Sequence, residues 1–241
     1  MASNWLERAE LLVGEEGTER LKKAHVLIVG LGGVGSFAAE FIARSGVGSM
    51  TIVDGDDIDI TNINRQLPAL HSTVGKQKVE EVGKRLLDIN PELKLTQIDE
   101  FLSPERVFEV IKEGDFSYVM DCIDSLSPKV SLIKACRYNK VKCVSSMGAG
   151  GKLDPKYVQV KDISKLTGCR LGVNVKKRLK EEKIDRGVRA VFSSEEVVKS
   201  SLKMTDGSNF KKSFYGTTSY MPAIFGLYAA AEVINYLREK K

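Results

Sequence analysis

Four glycines in six residues, Gly30-Leu31-Gly32-Gly33-Val34-Gly35, close a β-branched run and open a run of small residues. Glycine permits positive φ and lets backbone N–H groups approach a phosphate, and a helix starting there adds the positive end of its dipole. Gly30, Gly32, Gly33 and Gly35 are therefore candidate nucleotide contacts. Such a loop serves NAD, FAD, S-adenosylmethionine or ATP alike, and a tight turn alone would also use it. Asp54 lies 22 residues past Gly32 at the end of the next β-branched run. A carboxylate there accepts hydrogen bonds from ribose hydroxyls. To this point a nicotinamide-dependent oxidoreductase or a nucleotide-sensing module fits as well as any other reading.

The next residues narrow the chemistry. The stretch 54–66, DGDDIDITNINRQ, places four aspartates within six residues, Asp54, Asp56, Asp57 and Asp59. They repel one another unless cations or donors lie close. Asn62, Arg65 and Gln66 return polar groups toward the glycine loop, and Lys78 follows 13 residues after Arg65, in GKQKVE. Arg65 and Lys78 together suit a triphosphate, whose charge hydride transfer does not require. Asp124, in DCIDS (121–125), is placed to hold Mg²⁺ against the phosphates. Two cations, a carboxylate and a glycine loop, with Asp54, Asp56, Asn62 and Gln66 beside them, describe nucleotidyl transfer better than redox chemistry.

These residues need elements to hold them. Residues 24–29, 49–54, 94–98, 116–122 and 141–146 read as strands. Helices are expected at 32–45, 73–88 (with Thr73 as N-cap), 104–113 and 127–138. Alternating strands and helices with short joints predict an α/β fold, a doubly wound and mainly parallel sheet. Ligands bind such sheets beyond the carboxyl ends of the strands, where Gly30, Asp54, Asp121 and Ser145 all fall. After residue 151 the pattern changes to short strand-like pieces (YVQV, RAVF) and a basic helix near 171–183. A terminal helix follows at 222–238. The expected organisation is a nucleotide-binding part, 1–151, and a basic C-terminal insert subdomain with its terminal helix, 152–241, packed back on the sheet as one compact unit.

Composition excludes several classes. The 241 residues are 42% hydrophobic and 29% charged, enough for a core and against disorder. No apolar run approaches the roughly 18 residues that span a bilayer, so a cytoplasmic protein with no membrane span is expected. Cys122, Cys136, Cys143 and Cys169 form no C-x-x-C pair and match no zinc spacing. Cys169, within a basic stretch, is a candidate thiol nucleophile or an incidental residue, and Cys122 and Cys143 read as core. His25 and His71 leave little scope for histidine-based metal binding or triads. The net charge of +5 is uneven: Lys152–Lys212 holds sixteen basic and eight acidic residues. That excess predicts a polyanionic partner. Lys176, Lys177, Arg178 and Lys180 are its candidate contacts, with Lys211 and Lys212 further on. Phe210, Phe214, Tyr215 and Tyr220 are candidate stacking platforms for a splayed base.

GLGGVGS (30–36), Asp54 with DDIDITNINRQ, GKQKVE (75–80), INPE (89–92) and DCIDS resemble the Rossmann-like adenylating superfamily of ubiquitin-activating enzymes. RAELLVGEEG (8–17), ARSGVG (43–48), NINRQLPALHSTVGKQKVE (62–80), MGAGGKLDP (147–155), DISK (162–165) and SYMPAIFGLYAAAEVINYL (219–237) resemble, within it, the tRNA threonylcarbamoyladenosine dehydratases. TGCRL (167–171) departs from the DPLA-like stretch usual in that family, which touches the local substrate contacts and not the ATP site. The resemblance implies Gly32 and Gly35 at the phosphates and Asp54 at the ribose. It further implies Asn62, Arg65 and Lys78 on phosphates, Asp124 on Mg²⁺, and Arg8 reaching the ATP of a partner subunit, hence a homodimer. The implied activity is ATP-dependent dehydration of threonylcarbamoyladenosine in tRNA. Adenylation of a small sulfur-carrier protein's C-terminal Gly-Gly, or a sulfur-relay partnership, is the alternative. Eukaryotic members of the family are mitochondria-associated.

Overall fold

The computed structural model describes residues 4–204 and 213–239. Its centre is a seven-stranded sheet built from β1 (His25–Val29), β2 (Ser49–Val53), β3 (Lys94–Ile98), β4 (Tyr118–Asp121), β5 (Cys143–Ser146), β6 (Val158–Asp162) and β7 (Arg189–Ser193). The order is β3-β2-β1-β4-β5-β7-β6. Every pair is parallel except β6 with β7. β1, β4 and β5 are buried almost throughout because helices cover both faces, the polar Asp121, Ser145 and Ser146 falling at their carboxyl ends.

On one face lie α1 (Glu7–Lys23), α2 (Gly35–Arg44), α3 (Lys78–Ile89) and the terminal α7 (Tyr220–Glu239); on the other lie α4 (Pro104–Glu113), α5 (Leu126–Tyr138) and α6 (Arg170–Glu181). The small residues of α7, Ala229 and Ala230, are buried, and Gly226 lets α7 close on α2: a Cβ there would stand 2.4 Å from the Val34 carbonyl oxygen. The chain winds β1–β2–β3 outward one way and β4–β5 the other. The strand order therefore reverses between β1 and β4, and a crevice opens above their carboxyl ends.

The helix starts that differ most from the sequence expectation are those of α2 and α3. α2 begins at Gly35, after the glycine loop, rather than at residue 32. α3 begins at Lys78, not Thr73. Thr73 closes a turn instead: its hydroxyl accepts from Leu70 N at 2.8 Å and donates to the Pro68 carbonyl at 2.6 Å, and Gly75 then takes φ +84°. α1, kinked at Gly14, has no counterpart in the expectation. Its first half carries no buried stripe, with Leu11 83% and Leu12 84% exposed. The segment beyond residue 151 contributes β6 and β7 to the same sheet, plus a small hairpin of β8 (Leu202–Met204) and β9 (Ser213–Tyr215). Among the described residues no helix is long and apolar enough to cross a membrane.

Candidate active site

The crevice is lined from β1 outward. The chain leaves β1 at Gly30 with φ +89°, and a Cβ there would meet the Cys122 carbonyl at 3.0 Å. Gly35 packs tighter still: its Cβ would lie 1.7 Å from the Gly30 oxygen. At Gly33 the obstruction is Pro222 of α7, at 2.9 Å. Gly32 alone of the four is open, its nearest neighbour being Gln66 Nε2 at 3.7 Å. The loop is thus a backbone cradle whose free side lies at Gly32, at the N-terminus of α2.

Asp54, at the end of β2, ties the cradle down. Its Oδ2 accepts from Leu31 N at 2.6 Å and its Oδ1 from Asp56 N at 2.9 Å. Burial raises the pKa of this carboxyl, and Lys78 and the two N–H groups oppose the rise. Lys78, first residue of α3, donates to Asp56 Oδ2 at 2.7 Å and lies 4.0 Å from Asp54 Oδ1. Its side chain is only 5% exposed, so the aspartate run finds its cation in the opening turn of a later helix. Of the other two aspartates, Asp57 forms an isolated antiparallel bridge with Gln77 and Asp59 caps a single helical turn, Ile60–Asn62, in a reciprocal box with Asn62.

That turn delivers Arg65 and Gln66. Arg65 is half-buried and donates to the Thr61 carbonyl and Asn64 Oδ1, each at 2.8 Å. Burial lowers its pKa, while Asp124 and Asp59 push it back up, which sets the Arg65 guanidinium within electrostatic reach of the β4 loop. Gln66 is buried beside Gly32. Among the described residues its Oε1 is the only buried side-chain oxygen or nitrogen with no hydrogen-bond partner. The Gln66 amide nitrogen is the side of this group that faces the open Gly32, where it can donate to a bound polar ligand.

Behind the crevice lies a network the sequence did not suggest. Lys129 of α5 and Asp121 of β4 are fully buried and 2.7 Å apart. Lys129 also donates to the Ser146 carbonyl at 2.9 Å, and the Ser145 hydroxyl donates to Asp121 Oδ2 at 2.5 Å. Burial raises the Asp121 pKa against Lys129. Asp121 Oδ1 accepts from Ile123 N at 3.1 Å and so fixes the turn that presents the exposed Asp124. A lysine in an amphipathic helix ordinarily reads as solvent-facing, and only the strand-end position of Asp121 gave a signal.

The model of the ThiF family matches residues 6–241. The chain belongs to the ThiF family. A Bacillus subtilis tRNA threonylcarbamoyladenosine dehydratase is 40% identical over 94% of this chain and 92% of its own length. The crystal structure of the Escherichia coli tRNA N6-threonylcarbamoyladenosine dehydratase in complex with ATP superposes with a TM-score of 0.86. It is 37% identical, covering 98% of this chain and 96% of that one. An Escherichia coli molybdopterin-synthase adenylyltransferase is 38% identical over 54% of this chain.

In this ThiF-family chain the other candidate residues lie apart from the crevice floor. Arg8 is exposed on the first half of α1, beside Leu11 and Leu12. Lys177, Arg178 and Lys180 are exposed on α6, whereas Lys176 turns back to the Ser164 carbonyl. Arg178 donates to Ser127 Oγ at 3.1 Å, three residues beyond Asp124, so this end of α6 flanks the crevice. Phe210, Lys211 and Lys212 lie outside the described residues. Phe214 is 41% exposed, Tyr215 packs on Gly150 and Gly151, and the Tyr220 hydroxyl donates to the Leu153 carbonyl at 2.8 Å. Cys169 is buried at the start of α6, its sulfur accepting from Gly172 N. Burial pushes the Cys122 thiol up to about 12. His25 sits at the opposite end of the sheet, its Nε2 2.9 Å from Thr51 Oγ1.

Proposed function

We propose that this chain is an ATP-dependent tRNA threonylcarbamoyladenosine dehydratase. The observation that carries the reading is the convergence, over one switch-point crevice, of an open glycine cradle, the Gln66 amide, buried Lys78 and half-buried Arg65. The end-to-end likeness to dehydratases, one of them with ATP bound, supports the substrate. In this reading residues 1–151 bind the nucleotide and 152–241 supply the substrate side. A cytoplasmic location is part of this reading, and the lack of a membrane-spanning helix among the described residues is compatible with it.

The chemistry starts from a threonine carboxylate, a poor electrophile. Its oxygen attacks the α-phosphorus of ATP, and pyrophosphate leaves. Gly32 and the α2 N-terminus, Asn62, Arg65 and Lys78 bear the developing phosphate charge, and Asp54 and Asp56 set the ribose side. A nitrogen of the same substrate then attacks the activated carbonyl, a five-membered ring closes, AMP departs, and one water is lost overall. The second nucleophile is intramolecular, so high effective molarity replaces an enzymic nucleophile, in keeping with a buried Cys169.

In this reading Mg²⁺ would enter with the nucleotide. Among the described residues no three His, Cys, Asp or Glu side chains converge as a metal cage. An ion arriving on the triphosphate would take Asp124 as its protein ligand and supply charge neutralisation there. A homodimer in which Arg8 reaches the neighbouring crevice is supported by the exposed Leu11 and Leu12 beside it.

The test is mass spectrometry of tRNA nucleosides after incubation with ATP, expecting loss of one water from threonylcarbamoyladenosine. Arg65→Ala and Lys78→Ala should each abolish ATP–pyrophosphate exchange in a folded chain; normal exchange in both would remove the phosphate assignments. Carrier-protein adenylation remains the second reading because of the adenylyltransferase likeness. AMP release that needs a Gly-Gly carrier and ignores modified tRNA would establish it.

A further inference from the structure

The crevice lies at the carboxyl end of the sheet, and a second charged concavity lies at the opposite end. It has a volume of about 280 Å³ and is lined by Arg137, Lys140, Val141, Lys142, Cys143 and Gly187. Arg137 and Lys140 close α5, Lys142 precedes β5 and Gly187 precedes β7. All three cations are exposed. None makes an ion pair with a carboxylate among the described residues: the Arg137 guanidinium donates only to the Gly187 carbonyl, at 3.5 Å, and Lys142 Nζ lies 5.9 Å from the Tyr236 ring centroid. A neighbouring carboxylate, Asp162, is engaged by Gly187 N at 2.7 Å. Arg137, in the last turn of α5, complements the carboxyl end of that helix, which leaves its positive charge available to an anion in the concavity. Three unneutralised cations facing one concavity repel one another and favour an anion between them.

The concavity is also the end of a path. Lys177 and Arg178 line a second hollow with Leu126, Asn174 and Glu181, at the crevice end of α5. Lys180 follows on α6, then Lys183 and Arg186 in the loop leading to Gly187. Of the three acids along this line, Glu182 is paired with Lys134 and Asp185 lies 3.9 Å from Arg186, which leaves Glu181. The path spans the 13 residues of α5, roughly 20 Å at about 1.5 Å per residue. That is the reach of several base pairs of an RNA stem. A small free anion would need the concavity but not the path.

We infer that the Arg137–Lys140–Lys142 concavity is a second phosphate-contact site, remote from the chemistry, holding the backbone of the RNA stem whose loop enters the crevice. The inference rests on the tRNA reading above and locates its far anchor. Phosphate contacts of this kind fix register and carry most of the salt dependence of binding.

The experiment measures the affinity of unfractionated tRNA for the full chain over a series of NaCl concentrations. It compares wild type, R137E/K140E/K142E, the milder R137Q/K140Q/K142Q, and a control, K23E/K84E/K94E, on the opposite face and edge. Expected is a loss of at least about tenfold in affinity for the reversal variant. The slope of log K against log salt should be shallower by about two, since each lost phosphate contact removes roughly 0.7–0.9. The control should change much less, and ATP affinity should stay within about twofold of wild type in every variant. The glutamine variant should show the slope change in smaller measure, which keeps the test standing if the reversal impairs folding. Equal effects in the reversal and control variants, or an unchanged slope in both pocket variants, would overturn the site. Displacement of tRNA from wild type by millimolar inorganic phosphate with no dependence on these residues would also count against it. Absence of tRNA binding by wild type would instead overturn the functional reading, and the inference with it.

Discussion

Gly35 shows how little freedom the site leaves a single residue. A methyl group at this position would sit inside the van der Waals radius of the Gly30 carbonyl oxygen, and both atoms belong to backbone that neighbouring strands hold. Gly35→Ala must therefore move the loop, with an overpacking cost of about 1–3 kcal/mol or more. ATP affinity should fall by at least about tenfold, read by calorimetric titration. Gly32→Ala adds its methyl near only the Gln66 amide and should leave the fold intact while crowding the cradle. Equal, unimpaired ATP binding in both variants would refute the cradle. Lys129 poses the complementary case. Removing its charge in Lys129→Met leaves Asp121 buried and unpaired, which costs about 3–5 kcal/mol. Urea unfolding should show that loss. A change below about 1 kcal/mol would mean that the pair does not hold the turn before Asp124. The glycines, Asp54, Arg65 and Lys78 could be grouped from the sequence because they fall at or just past strand ends, and the fold brings them round one crevice. Lys129 could not, because burial of a lysine depends on partners from two other strands.

At the scale of elements, the strands were legible and the helix starts were less so. β1, β2, β4 and β5 are short, β-branched-rich or apolar-led runs that are buried on both faces, a pattern that the sequence shows readily. Thr73 carries a proper capping side chain, yet it closes a turn, and the helix waits for Gln77 and Lys78. That delay matters: it puts Lys78 in the first turn of α3, where its side chain folds back on Asp56 instead of pointing along a helix face. A helix beginning at Thr73 would carry Lys78 into its second turn. The N-terminal half of α1 was missed for the opposite reason, since its apolar residues face no core of this chain. On α6, charge reversal at Lys176, Lys177 and Arg178 should weaken tRNA binding while ATP binding persists. Lys177 and Arg178 carry most of that expectation, because Lys176 is engaged with Ser164. Unchanged tRNA affinity would move the RNA surface elsewhere.

At the scale of the molecule, the exposed start of α1 covers no core of this chain, and the proposed homodimer would give it a partner. Leu11 and Leu12 lie on the same half-helix as Arg8, before the kink at Gly14. A two-fold interface would bury both leucines and carry each Arg8 toward the other subunit's crevice. Complementation tests this without a structure of the dimer. Arg8→Ala and Lys78→Ala should each be inactive alone. In a mixed dimer, the subunit with Arg8→Ala keeps its own Lys78 and receives Arg8 from its neighbour, so one of the two crevices is whole. Free exchange of equal amounts makes half the dimers mixed, and about a quarter of wild-type ATP–pyrophosphate exchange should return, as two-fold symmetry requires. If Arg8 serves its own subunit, no mixed species contains a complete crevice that the parents lack, and no activity returns at any ratio.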